Sequence, residues 1–166
     1  MKNMEHILYT YKHRKVVMML AKKYFGDNKE LLKQVELHDL DKLYMYLFYD
    51  KKTVSKLHRE KSFHHENELE KTDLDYKEMV LDWESARYTK PDKPLNAFDT
   101  LYAYYPEMED VILPILQDMG IAETNTPMEE DIFKAAQEMG DPTTADIEKE
   151  LTQGVKVYLK TKKTDK

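Results

Sequence analysis

The chain has no cysteine and only four glycines among its 166 residues. The first absence removes disulfides, zinc ribbons, iron–sulfur clusters and thiol catalysis. The scarcity of glycine, with no GxGxxG or GxxxxGKS/T anywhere, removes the dinucleotide-binding and phosphate-cradling loops. No apolar run reaches the length of a membrane span. The first eleven residues mix Lys2, Glu5 and His6 among apolar neighbours, unlike a signal peptide. A cytoplasmic protein with no membrane partner is expected. Strand patterning is missing too, since Val and Ile are few and strict alternation is absent.

What is present is helical periodicity over a heavily charged background: 41% hydrophobic and 35% charged residues, enough to build one core. The net charge of −6 is unevenly spread. Residues 1–90 hold 18 Lys and Arg against 16 Asp and Glu, whereas residues 91–166 hold 8 against 16. The acidic second half disfavours nucleic acid as a partner, while the near-neutral first half can accept a small anion. The pattern predicts an all-α bundle of about eight or nine helices. Asn3 to Phe25 reads as the first helix, with Gly26 as its stop. Asn28 or Asp27 caps a second, running to about His38, and Leu40 to Tyr49 reads as a short buried helix. Thr53 opens one through about Glu70, and another spans Asp73 to Tyr88. Pro91 and Pro94 then break the pattern, dividing a core of residues 1–90 from an acidic extension of residues 91–166 that packs on it. Further helices are expected from Pro106 to Gly120, Pro127 to Met139 and Thr144 to Lys160, before a basic tail.

All six histidines lie within the first 65 residues. His6, Tyr9, His13, Val16, Val17 and Leu20 share one helical face, which turns His13 inward. It is then either a core histidine bonded to a backbone carbonyl or a metal ligand. His38 and Asp39 are adjacent, so on a helix they point about 100° apart and meet one ion only at a helix end or where helices converge. His58 and His65 are seven apart and would share a helix face, with His64 about 100° round. Three imidazoles so close suit a transition metal, although the charged neighbours also fit a solvated face. Glu78 and Asp82 stand one turn apart beside Trp83, the only tryptophan. Buried carboxylates there would need a metal or a histidine as partner.

The order His13, His38-Asp39, His64-His65, Asp82 resembles the HD-domain superfamily of metal-dependent phosphohydrolases. Within it, the segments His38 to Lys42, His58 to His65 and Glu78 to Trp83 look most like a small uncharacterised bacterial and phage family. The resemblance covers about residues 6–88. It implies an all-α HD-like bundle whose His13, His38, Asp39 and Asp82 hold a first divalent ion. It further implies that His64, His65 and His58 serve a second ion or the leaving phosphate, with Asp39 able to bridge. Lys42 would meet substrate phosphate and Glu78 would orient a ligand. Mixed His and carboxylate ligation suits manganese, iron, zinc, cobalt or nickel. The implied reaction is hydrolysis of a nucleotide or another small phosphoester by metal-activated water. A non-enzymatic helical protein, with a structural metal or none, is the alternative. Its acidic helices after Pro106 would dock a partner, and Phe98, Leu101, Tyr102, Tyr104 and Tyr105 would form its core or interface.

Overall fold

A computed structural model describes residues 3–90 and 92–164, with side chains through Lys156. Pro91, half of the expected double break, and the side chains of the basic tail beyond Lys156 lie outside the described residues. Among the described residues there are nine α-helices and no strand. They are α1 (Met4–Phe25), α2 (Lys29–Val35), α3 (Leu40–Met45), α4 (Lys51–Lys61), α5 (Asp73–Thr89), α6 (Ala97–Tyr104), α7 (Glu109–Met119), α8 (Glu130–Glu138) and α9 (Thr144–Thr164). A 3₁₀ turn, Pro106–Met108, leads into α7.

The starts are set by side-chain caps. Asn28 and Asn96 accept from the backbone N–H groups of Leu31 and Asp99. Thr72 and Asp75 form a reciprocal capping box at the start of α5. The α7 helix stops at Gly120, whose φ of 74° places it in the left-handed region glycine favours. Ile121 N–H then reaches back to the Leu116 carbonyl and satisfies it.

The long helices α1 and α5 pack against each other at the centre, α2 lies across both, and α6, α7 and α8 cover the other side of α5. The main core joins Val17, Leu20 and Leu31 to Met79, Leu81, Leu101, Ile112 and Leu116, all fully buried, so both sides of the proline loop contribute to it. A smaller cluster of Ile7, Leu40, Leu43, Tyr46 and Val54 packs beneath Ile147 and Leu151 of α9. Here Gly154 is needed for close approach, since a Cβ would stand 2.0 Å from a Leu40 methyl.

Several expectations need correction. The fourth helix is capped by Asp50, not Thr53, and ends at Lys61 rather than near Glu70. Residues 62–72 lead irregularly into α5. Ser62 is extended, and Asn67 Nδ2 donates to the carbonyls of Arg59 and Ser62, offering the chain end a local alternative to another helical turn. The second helix likewise ends at Val35, leaving His38 and Asp39 between helices. The Leu40–Tyr49 segment is only partly buried, since Leu47, Phe48 and Tyr49 are exposed. Of the aromatic cluster, Leu101 is buried and Trp83 stacks on Tyr105 with ring centroids 4.9 Å apart, but Tyr102 and Tyr104 face outward.

Candidate metal centre

Five segments converge on one buried polar pocket. Helix α1 supplies His13, the turn between α2 and α3 supplies His38 and Asp39, and α4 supplies His58. The irregular segment after α4 supplies His64 and His65, and α5 supplies Glu78 and Asp82. The His38-Asp39 doublet can aim both side chains at the same place because Asp39 is left-handed, with φ 57° and ψ 14°. Asp tolerates that backbone better than most residues. His64 and His65 do not share a helix with His58; the end of α4 at Lys61 lets both rings turn back beside it.

Three sets of donor atoms could hold an ion; His38, His64 and Glu78 form one, and the other two are hinged on Asp39. In the first of these two, His13 Nε2 and His38 Nε2 lie 3.1 Å apart, and each reaches Asp82 Oδ1, at 2.9 and 3.1 Å. Asp39 Oδ2 completes it, 3.2 Å from His13 Nε2 and 3.6 Å from His38 Nε2. In the second, His58 Nε2 and His64 Nε2 are 3.2 Å apart and lie 2.9 and 3.1 Å from Asp39 Oδ1, with His65 close enough to add a ligand. The carboxylate therefore turns one oxygen to each group. Neighbouring ligands about 3 Å apart are what an ion bonded at roughly 2.1 Å requires. Asp39 Oδ1 is buried and has no hydrogen bond, although two imidazole nitrogens face it. That combination fits an ion between them better than a direct contact.

The far sides of the rings fix their orientation. His38 Nδ1 donates to Glu78 Oε2 at 2.8 Å, and His58 Nδ1 donates to Asp41 Oδ2 at 2.8 Å. His64 Nδ1 lies 2.6 Å from the same Glu78 oxygen and 2.8 Å from Ser62 Oγ. Ser85 Oγ donates to the Asp82 carbonyl, so it is free to accept from His13 Nδ1 at 3.4 Å. A carboxylate can only accept, so the proton of the neutral ring sits on Nδ1 and the Nε2 lone pair faces inward. Gln34 Nε2 holds Glu78 in turn, at 2.9 Å from Oε1.

The electrostatics show charges balanced inside the pocket. Burial alone would lower the His38 pKa, but Asp39, Asp82 and Glu78 carry it well above the ordinary value. His58 is raised in the same way, against its burial, by Asp39 and Asp41. For His64, burial and the charge of His38 are outweighed by Asp39 and Glu78, and its pKa rises to about 9. Burial would raise the carboxylates, yet the imidazoles hold Asp39 and Asp82 well below the usual range and Glu78 at about 2. Without an ion, protons on the rings therefore neutralise the carboxylates. His65 differs: burial pushes it down to about 3, so it stays neutral.

Every metal-ligating residue singled out from the sequence lies at this pocket: His13, His38, Asp39, His64, His65 and Asp82. His58, read there as an auxiliary, is part of the second ligand group itself. Glu78 orients two rings rather than one. Lys42 stands at the edge, its ammonium 3.8 Å from Asp39 Oδ2. Asp41, Ser62, Ser85 and Gln34 were not anticipated as ring- and carboxylate-orienting groups; Asp41, inside the His38 to Lys42 segment, carried the one available signal. His6 stays outside the ligand groups, stacked on Tyr46. The pocket opens into a cleft of about 820 Å³ on which His13, Asp39, His58, His65 and Asp82 all border. No family model, curated protein or solved structure matches the chain. Among the described residues, no helix is long and apolar enough to cross a membrane.

Proposed function

We propose that the chain is a metal-dependent phosphohydrolase, holding two divalent transition-metal ions and acting on a small phosphoester. One observation carries the reading. Four imidazoles direct Nε2 toward two centres while acceptors hold their Nδ1 protons behind them, and Asp39 gives one carboxylate oxygen to each centre. His13, His38, Asp39 and Asp82 would hold the first ion, and His58, His64, His65 and Asp39 the second. A mixture of imidazole and carboxylate favours manganese, iron, zinc, cobalt or nickel over calcium. Ions so held supply Lewis acidity toward phosphate oxygens and a bound water acidic enough to ionise near neutral pH.

The chain's own residues do the rest. Glu78, Asp41 and Ser85 fix the rings, so the ligands need no reorganisation during the reaction. Lys42 places a positive charge beside Asp39, where charge on a phosphate oxygen would be offset. The large open cleft favours catalysis over a structural ion, because structural sites are closed by protein ligands. The HD-like order of the ligands along the chain supports the same reading.

The test is elemental analysis of protein purified without chelator or affinity metal, beside the His38→Ala/Asp39→Ala double variant. About two equivalents in the wild type, absent from the variant, together with metal-dependent turnover of simple phosphoesters, is the expected result. A wild type that contains no metal and takes up neither manganese, iron nor zinc would overturn it.

A further inference from the structure

Beyond the metal ligands, the same cleft collects cations from three separate elements. Lys42 comes from α3, Lys51 and Arg59 from α4, and Lys90 and Lys93 from the loop after α5. Among the described residues, Lys51, Arg59, Lys90 and Lys93 make no ion pair; the cleft's only acids outside the ligand groups are Glu5 and Asp92. The Lys90 ammonium sits 5.4 Å from the centre of the Tyr9 ring, which itself stacks on His13 at 5.9 Å. Lys90 is thus one aromatic ring away from the first ligand group.

From this arrangement we infer that the cleft has a second anion subsite, formed by Lys51, Arg59, Lys90 and Lys93, and that the substrate is a compact polyanion carrying at least one phosphate beyond the one that reacts. The physical reason is the unneutralised charge. Like charges gathered in one concave site repel, and the repulsion is relieved when an anion enters. Lys90 registers it: burial lowers its pKa, and against the pull of Asp82 the charges of Lys42, Lys93 and Lys51 lower it further. A monophosphate at the ligand groups would leave the rim cations unused. A diphosphate or triphosphate ester engages both ends of the cleft. The acidic half of the chain disfavours a long nucleic acid as the polyanion.

As a substrate subsite this rests on the hydrolase reading, but its anion binding can be measured apart from any metal. The full chain, stripped of metal and dialysed free of chelator, is titrated calorimetrically with sodium tripolyphosphate and with inorganic phosphate. Tripolyphosphate is expected to bind about tenfold tighter than phosphate and to weaken as salt is raised. Lys90→Met with Lys93→Ala should weaken tripolyphosphate about fivefold, methionine keeping an unbranched side chain of similar length without the charge over Tyr9. Lys29→Ala with Lys134→Ala, on α2 and α8 away from the cleft, should change nothing. Equal affinity for the two anions, no loss in the rim variant or an equal loss in the control would overturn the subsite. So would tighter binding of a single-stranded oligonucleotide than of tripolyphosphate. If the subsite fails while metal still binds, the hydrolase reading stands; if tripolyphosphate binds but no metal does, the hydrolase reading falls alone.

Discussion

The two sides of α5 are built on opposite principles. One carries Asp75, Glu78, Asp82 and Ser85 at helical spacing toward α1, α2 and the histidine segments. The other carries Met79, Leu81, Trp83 and Tyr88 into the core shared with α6, α7 and α8. The apolar side gains free energy from burial, except at Glu84, which is buried there and is satisfied by the Ala97 N–H. The polar side gives up hydration and recovers it only through partners, so it contributes little to net stability. The apolar side secures the fold, and the polar side holds ligands in place at its expense.

The largest effect is expected from Asp39→Asn, which keeps the size and the left-handed backbone but removes the charge shared by both ligand groups. Both ions should be lost in elemental analysis and any metal-dependent turnover should fall by about a thousandfold or more, while circular dichroism stays native. Retention of either ion would mean that the two groups do not share this carboxylate. On the opposite side, Leu116→Ala should cost about 2–5 kcal/mol in urea unfolding and leave the metal content of the folded protein unchanged. A stable variant that loses metal would erase the distinction between the sides.

Glu78→Gln comes next. It retains the shape but replaces the acceptor behind both His38 and His64, so metal affinity should drop about 10–100-fold. Competition with a fluorescent chelator should show the weakening at both sites; weakening at one alone would assign Glu78 to that site only.

The smallest effect is in the pH profile of the metal-free protein. His38, His58 and His64 have raised pKa values, with His64 at about 9. Their contribution to stability is complete below the unfolded histidine value of about 6.5 and is lost as pH rises through the folded values. Asp39, Asp82 and Glu78 are lowered, so theirs is present above the unfolded carboxyl range and lost as pH falls toward about 2, the Glu78 value. The melting temperature without metal should therefore decline between about pH 6.5 and 9, and added metal should reverse that slope by replacing protons. A profile that stays level in that range would refute the paired charges.

The polar stripe of α5 and the inward face of α1 could be read directly, because each obeys the helical period. The end of α1, the start of α5 and the end of α7 follow from Gly26, Thr72 and Gly120, whereas α7 begins at Glu109, after a 3₁₀ turn, and not at Pro106 as expected. The segment Ser62 to Lys71 could not be read this way. It contains no glycine or proline and carries three Glu with Leu69 and Lys71, so propensity alone extends the helix. What ends α4 is the Asn67 side chain reaching back to two carbonyls, a contact that spacing does not announce. His58 stood out beside His64 and His65 in the sequence, but the helix face expected to join it to His65 is absent; its ring meets His64 because the chain turns back after Lys61. The cationic rim was equally hidden, because its members are up to 42 positions apart and separated by acidic residues.

The left-handed backbone at residue 39 bears on how this sequence can drift. That conformation admits glycine, asparagine and aspartate most readily. Of the three, only aspartate also offers an ionised pair of oxygens. If the proposed ions are bound, the position is selected twice, once by the turn and once by the chemistry, and the two filters can be separated in descendants. A lineage without such an ion could scatter its histidines freely, yet the turn would still favour those three residues here. A relative with asparagine or glycine at this place and no histidine cluster would be a record of the chemistry lost and the turn retained.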